Sequence, residues 1–152
     1  EAFKAWGVSP HPMAWAEIFS ALQQKVVDGQ ENPFFAISDN KFWEVQKYIT
    51  EIHYMFWTGI VAVSDAWYQK LNPATRALID KAMAEAQKAE WEWVHKKEMN
   101  SKEQAIQHGM VVDQLEDEPV WVEKARAIWP KFYGKIGGKE IVDEAVKIIS
   151  KK

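Results

Sequence analysis

Ala21-Leu22-Gln23-Gln24-Lys25-Val26-Val27-Asp28-Gly29-Gln30-Glu31-Asn32-Pro33, followed closely by Lys41-Phe42-Trp43-Glu44-Val45-Gln46-Lys47-Tyr48, is the stretch from which the fold can be read. Its first residues close a helix. Pro10 and Pro12 break the chain before an apolar-periodic segment from about Met13 to Gln24, with Trp15, Ile18, Phe19 and Leu22 on one face. Val26-Val27 is short and β-branched, and Asp28-Gly29 signals a turn. Asn32-Pro33 suits a helix N-cap followed by proline at the first helical position, so a second helix is expected to run to about Asp39. Phe42 to Lys47 adds a further helical turn or two.

Working outward, Tyr48 to Ser64 is rich in β-branched and aromatic residues, including Ile60-Val61-Ala62-Val63, and reads as strand buried on both faces near its end. Ser64 or Asp65 caps a short helix. Asn72-Pro73 is another N-cap with proline behind it, and neither Gly nor Pro returns until Gly109. Ala, Glu, Lys and Gln fill the interval, all good helix formers. Such a helix would be about 54 Å long, whereas a compact globule of this chain length is about 40 Å across. Either it breaks near Asn100-Ser101, or it lies across two lobes of a larger body. Beyond Gly109, Met110-Val111-Val112 reads as a short strand and Pro119 to Phe132 as an amphipathic helix. Gly134, Gly137 and Gly138 form a flexible connection to a terminal helix from Lys139 to Ile149.

A chain of 152 residues with 47% apolar and 27% charged residues has the composition of a globular protein with a core of its own. Net charge is −3 and the basic residues form no patch, which argues against nucleic acid as a partner. No apolar run approaches the roughly 18 residues that span a bilayer. The opening Glu1-Ala2-Phe3-Lys4 shows no signal-peptide pattern and reads as a mature or excised segment. There is no cysteine, so neither disulfides nor thiolate chemistry arise. Nine tryptophans serve either core packing or the wall of an aromatic pocket.

Catalytic and metal signatures are missing. His11, His53, His95 and His108 include no i, i+4 pair of the kind that holds a metal on a helix. Glu85, Glu90 and Glu98 alternate with lysines along the long helix, as on a solvated face. There is no serine elbow, no phosphate-cradling glycine loop and no acid pair with a nearby base. No enzyme, metal or cofactor is expected.

The 21–48 stretch resembles the signature of the TRAP-type (DctP family) periplasmic solute-binding proteins, and the likeness continues nearly to the C-terminus. It covers only the C-terminal half of such a receptor. Gly7-Val8-Ser9-Pro10-His11-Pro12-Met13-Ala14-Trp15-Ala16-Glu17 is similar to the family's segment entering the second lobe. The resemblance implies an α/β, helix-rich fold, the C-terminal half of a two-lobe periplasmic-binding-protein fold with a long lobe-spanning helix. Residues 1–52 and 112–152 would belong to ligand-binding lobe two. Residues 53–71 would form the hinge strand and short helix of lobe one, and 72–108 the helix spanning both.

The implied function is capture of a small organic acid through its carboxylate, in the periplasm, and delivery to TRAP membrane permease subunits. The implied substrate-binding residues are Asn32, Trp15, Trp57 and His53. Trp15 stands where the family has an aromatic that stacks on the ligand, or is simply a core residue. Asn32 stands where an asparagine amide donates to the ligand carboxylate, or only caps its helix. The free amides of a helix start would favour the same anion. His53 occupies the place of a strand-end histidine, and Trp57 would wall the pocket.

Two substitutions, one difference of spacing and one absence depart from the family pattern. Lys25 holds a position that is commonly Gly or Asn, where positive φ is often needed. His11 replaces a small polar residue. The spacing after His53 differs by one residue from some members. The arginine that clamps the carboxylate comes from further upstream, and this chain has only Arg76 and Arg126, both on outer helices. The N-terminal half of the receptor, or self-association through the Ile60–Val63 edge, is therefore an expected partner. The alternative from another class is a truncated or free-standing helical interaction or structural module that binds no solute.

Overall fold

The computed structural model describes residues 1–56 and 58–150. They form two compact units, one of residues 14–113 and one of residues 1–13 with 114–152.

The 14–113 unit opens with a 3-10 turn, Trp15–Glu17, that leads into α2, Ile18–Gln23; α1, Ala2–Ala5, lies in the other unit. Helix α2 ends in a Schellman motif: Val26 N–H bonds Ala21 C=O at 2.8 Å and Lys25 N–H bonds Leu22 C=O at 3.1 Å. Lys25 takes φ 58° to do so. A lysine thus holds the left-handed position of this turn.

Helix α3, Phe34–Asp39, ends where expected but starts one residue late, because Pro33 is its N-cap. A 3-10 turn, Phe42–Glu44, then leads into β1, Tyr48–Glu51. The strand stops there. Among the described residues of 52–63 none is in a strand, and Ile60 and Val61 are 87% and 74% exposed. β1 pairs with a single four-residue strand, β2, Val111–Gln114, so the ladder runs out. β-branched composition alone does not make a strand without a neighbour to bond.

Helix α4, Asp65–Tyr68, precedes the long helix α5, Pro73–Gln107. Asn72 caps α5 as expected, its Oδ1 accepting from Thr75 N–H at 2.9 Å. The 35 residues run unbroken through Asn100-Ser101. Gly109, at φ 89°, ends it with the same pair of bonds that closes α2, Met110 N–H to Ala105 C=O and Gly109 N–H to Ile106 C=O. The deepest packing of α5 is near its C-terminal end. Its buried residues are Ser101 and Ala105, whereas 80–93 are exposed throughout.

The core of this unit lies where α3 crosses that packed end: Ile37, Phe42, Ala105 and Met110 are buried, with Ile18, Phe19, Trp43 and Ile49 against them. Ion pairs Lys97–Asp39 and Lys102–Glu51 tie α5 to the last residue of α3 and the last residue of β1. None of the eight described tryptophans is buried, so they do not fill the core. Among the described residues the buried apolar side chains are Ala21, Leu22, Ala36, Ile37, Phe42, Ala105 and Met110, with Phe42 the largest that is fully buried.

In the other unit, α1, Ala2–Ala5, packs on α6, Glu118–Ala127. The Trp6 and Trp121 rings lie 5.3 Å apart, and Trp6 Nε1–H donates to the Trp121 carbonyl. Short 3-10 turns carry the chain from Trp129 to Lys135, and α7 covers Lys139–Ile149 as expected.

Candidate functional site

Within the 14–113 unit, the chain on either side of α3 folds round a concavity of about 450 Å³. Trp15 and Asn32 both line it. They arrive from different elements. Trp15 is set by the 3-10 turn, which leaves its ring 49% exposed with its centroid 6.1 Å from that of buried Phe42. Asn32 lies between the bend at 26–28 and Pro33, the N-cap of α3, whose φ of −67° and ψ of 160° are extended.

Asn32 does not cap its helix. Its Nδ2 donates to Gln30 Oε1, and no side chain of the cap residue bonds the helix start. The helix start is occupied from elsewhere: Glu98, on α5, accepts Phe34 N–H at 2.8 Å and Phe35 N–H at 3.0 Å. The expectation that the first turn of α3 offers free amides to an anion is thereby corrected. An internal carboxylate already satisfies them.

Glu31, Phe35, Ala36, Asp39, Asn40 and Met55 complete the lining with Pro33. Sequence reading passed over these. Their signal was periodicity: 35, 36, 39 and 40 fall on one helical face directly after Asn32. Asn40 Nδ2 donates to Ala36 C=O at 2.8 Å, which leaves its Oδ1 as an acceptor. Asp39 pairs with Lys97. Tyr54 hydrogen-bonds Glu31, and its hydroxyl is pushed up to about 12, first by burial and then by that bond and the carboxylate's charge. His53 is not among the lining residues; it sits at φ 42°, two residues before Met55, which is. Trp57 lies outside the described residues.

The arginines are elsewhere. Arg76 bonds Gln69 Oε1, and Arg126 lies over the Trp129 ring. Among the described residues, no cluster of His, Asp and Glu is placed to hold a metal ion. No described helix is long and apolar enough to cross a membrane.

Residues 1–135 match the family described as bacterial extracellular solute-binding protein, family 7 (DctP). The chain belongs to that family. A TRAP periplasmic solute-binding protein from Rhodobacter sphaeroides, solved in an apo open form, superposes with a TM-score of 0.81 at 41% identity, over 98% of this chain and 49% of that one. A TRAP receptor from Haemophilus influenzae with bound L-gulonate gives a TM-score of 0.83 at 30% identity, over 99% of this chain and 49% of its own. The sialic acid-binding periplasmic protein SiaP of Vibrio cholerae is 33% identical over 88% of this chain and 41% of its own length. This chain thus spans about half the length of the relatives it matches. Its fold is that of the TRAP periplasmic binding proteins, helix-rich α/β.

Proposed function

We propose that this chain contributes one wall of a TRAP receptor's solute site, holding a small organic acid in the periplasm for membrane permease subunits and performing no chemistry. What supports this most is that Trp15 and Asn32, chosen from the family motif, line one concavity. In this reading residues 1–52 and 112–152 belong to lobe two, 53–71 to lobe one, and 72–108 to the helix spanning both. His53 and Trp57 remain proposed pocket residues.

The arginine clamp is not supplied by Arg76 or Arg126, so the chain on its own is expected to bind weakly. Two charge-assisted bonds are worth at least about 3 kcal/mol together, or two decades of affinity. A micromolar receptor then falls to about millimolar. Calorimetry on the chain mixed with an N-terminal half taken from a solved relative tests the reading. Organic-acid binding should appear only in the mixture, and Asn32→Ala should weaken it by about 1–3 kcal/mol. Micromolar binding of a carboxylate by the chain alone would contradict it.

The exposure of α5 from 80 to 93, with Trp91 and Trp93 at 57% and 58%, favours a second reading. That face, and the apolar 60–63 segment, suit the receptor's N-terminal half or a second copy of this chain. Light scattering that shows a stable monomer at micromolar concentration, unchanged by the added half, would remove it.

A further inference from the structure

Helix α7 is barely packed. Of its residues only Val142 and Val146 are half-buried, and Ile141, Ile148 and Ile149 are 54%, 65% and 72% exposed. At about 100° per residue, the apolar positions 141, 142, 145, 146, 148 and 149 fall on one arc of the helix. Lys139, Glu140, Asp143, Glu144 and Lys147 fall on the other. Trp129, Phe132 and Ile136 face the apolar arc, and an open groove of about 410 Å³ runs between them.

The rim of this groove is basic. Residues 124–139 include Lys124, Arg126, Lys131, Lys135 and Lys139 and no acidic residue. Arg126 lies over the Trp129 ring, 5.5 Å from its centroid, and Lys135 lies over the Phe132 ring at 5.9 Å. A cation thus stands on each of the two aromatics that line the groove. Lys139 pairs with Asp143. Residues 124–152 hold eight Lys or Arg against three Asp or Glu, net +5, whereas residues 1–123 hold eleven against nineteen, net −8. The basic residues stay singly spaced, and the asymmetry arises because the acidic ones thin out.

An apolar centre with cations at its edge complements a surface that is anionic outside and apolar beneath. We infer that α7 and its groove dock on an anionic phospholipid surface, with α7 lying along the interface. The stems of Lys131, Lys135 and Arg126 can follow the apolar surface while their charged heads reach lipid phosphates. The acidic residues of α7 stay on the arc facing water. A protein partner fits this face less well. Eight residues line the groove, whereas a standard interface takes roughly 20–30 a side. Lipid binding needs no matching partner surface and scales with apolar area and charge. The 11 residues of α7 span about 16 Å, too short to cross the hydrocarbon. The face is separate from the solute concavity, and the inference does not rest on the solute reading.

Vesicle flotation of the complete chain tests this, comparing phosphatidylcholine vesicles with vesicles that contain about one-third phosphatidylglycerol. Binding should be at least about 10-fold tighter to the anionic vesicles. It should fall by at least about 10-fold when salt is raised to about 0.5 M. Ile148→Ser combined with Ile149→Ser, both at exposed positions, should weaken it by at least about 10-fold. Lys131→Gln combined with Lys135→Gln should cut the anionic preference to about 3-fold or less. This second variant alters two exposed side chains and keeps the test decisive if the isoleucine variant does not fold. Absence of flotation, equal binding to both vesicles, or unchanged binding by a folded isoleucine variant overturns the inference. So does a dimer seen by light scattering, or a complex with an added N-terminal half, that the isoleucine variant abolishes, because protein then covers the face. No organic acid is present, so none of these outcomes bears on the solute reading.

Discussion

Glu98, on the long helix, accepts the backbone N–H of Phe34 at 2.8 Å and so caps a helix that starts 64 residues earlier in the chain. The same carboxylate also takes the Phe35 N–H at 3.0 Å. It thus satisfies two of the amides that every helix start leaves unpaired, and it complements the positive end of the helix dipole. The pair also fixes α3 on α5, and with it Asn32 and the concavity.

Replacing Glu98 by Ala is expected to destabilise the chain by about 2–3 kcal/mol, since two charge-assisted bonds are lost and two partly buried amides are orphaned. Urea denaturation followed by circular dichroism measures this. A cost below about 0.5 kcal/mol, the range of an ordinary surface substitution, would mean that water replaces Glu98 without penalty.

Lys25 provides a test in the opposite direction. Its φ of 58° is a conformation that glycine takes without strain and that costs an L-residue roughly 1 kcal/mol. Gly109 occupies the same motif position at the end of α5. Lys25→Gly should therefore raise stability by about 0.5–1 kcal/mol, the gain offset in part by the greater freedom of glycine in the unfolded chain. A rise in thermal midpoint is the expected readout; a fall would show that the lysine side chain holds the turn.

Tyr54 gives a pH dependence. Burial and the bond to Glu31 raise its hydroxyl from about 10 to about 12 in the fold. The protonated phenol is the favoured form, so its stabilisation is complete below about pH 10, the unfolded value, and drains away as pH climbs towards 12. Absorbance at 295 nm should show a tyrosine ionising late, absent in Tyr54→Phe and shifted to lower pH in Glu31→Gln. Superposable alkaline curves for all three chains would refute the assignment.

Ser101 lies at the other extreme of burial. It is 1% exposed, and among the described residues its hydroxyl has no hydrogen-bond partner. Alanine removes an unsatisfied polar group and is the better helix former, so Ser101→Ala should stabilise by about 1 kcal/mol. Destabilisation by the same amount would reveal a partner for the hydroxyl.

Local signals in the chain were read correctly at both ends of the long helix and along the terminal one, whereas the helix expected from Pro119 to Phe132 stops at Ala127, ahead of Pro130. Asn72-Pro73 and Gly109 bracket a 35-residue helix because capping and the absence of breakers act over a few residues, and Lys139 to Ile149 is helical for the same reason. The lysine at a left-handed turn was legible too, since the need for positive φ belongs to the motif and not to its surroundings. Trp15 and Asn32 were picked out by the motif around them.

Tertiary structure decided everything that depends on a partner distant in sequence. Ile60-Val61-Ala62-Val63 has strand composition and no strand, because a strand exists only through hydrogen bonds to a neighbour, and β1 and β2 offer four residues each. Asn32 suits an N-cap by type, yet Glu98 reaches the amides from 64 residues away, a pairing no local window contains. Glu31, Asp39 and Asn40 join Trp15 in one wall only once α3 lies on α5. Propensity and capping are properties of a segment, whereas the sign of charge in a groove and the occupancy of a helix end are sums over elements that the fold alone brings together.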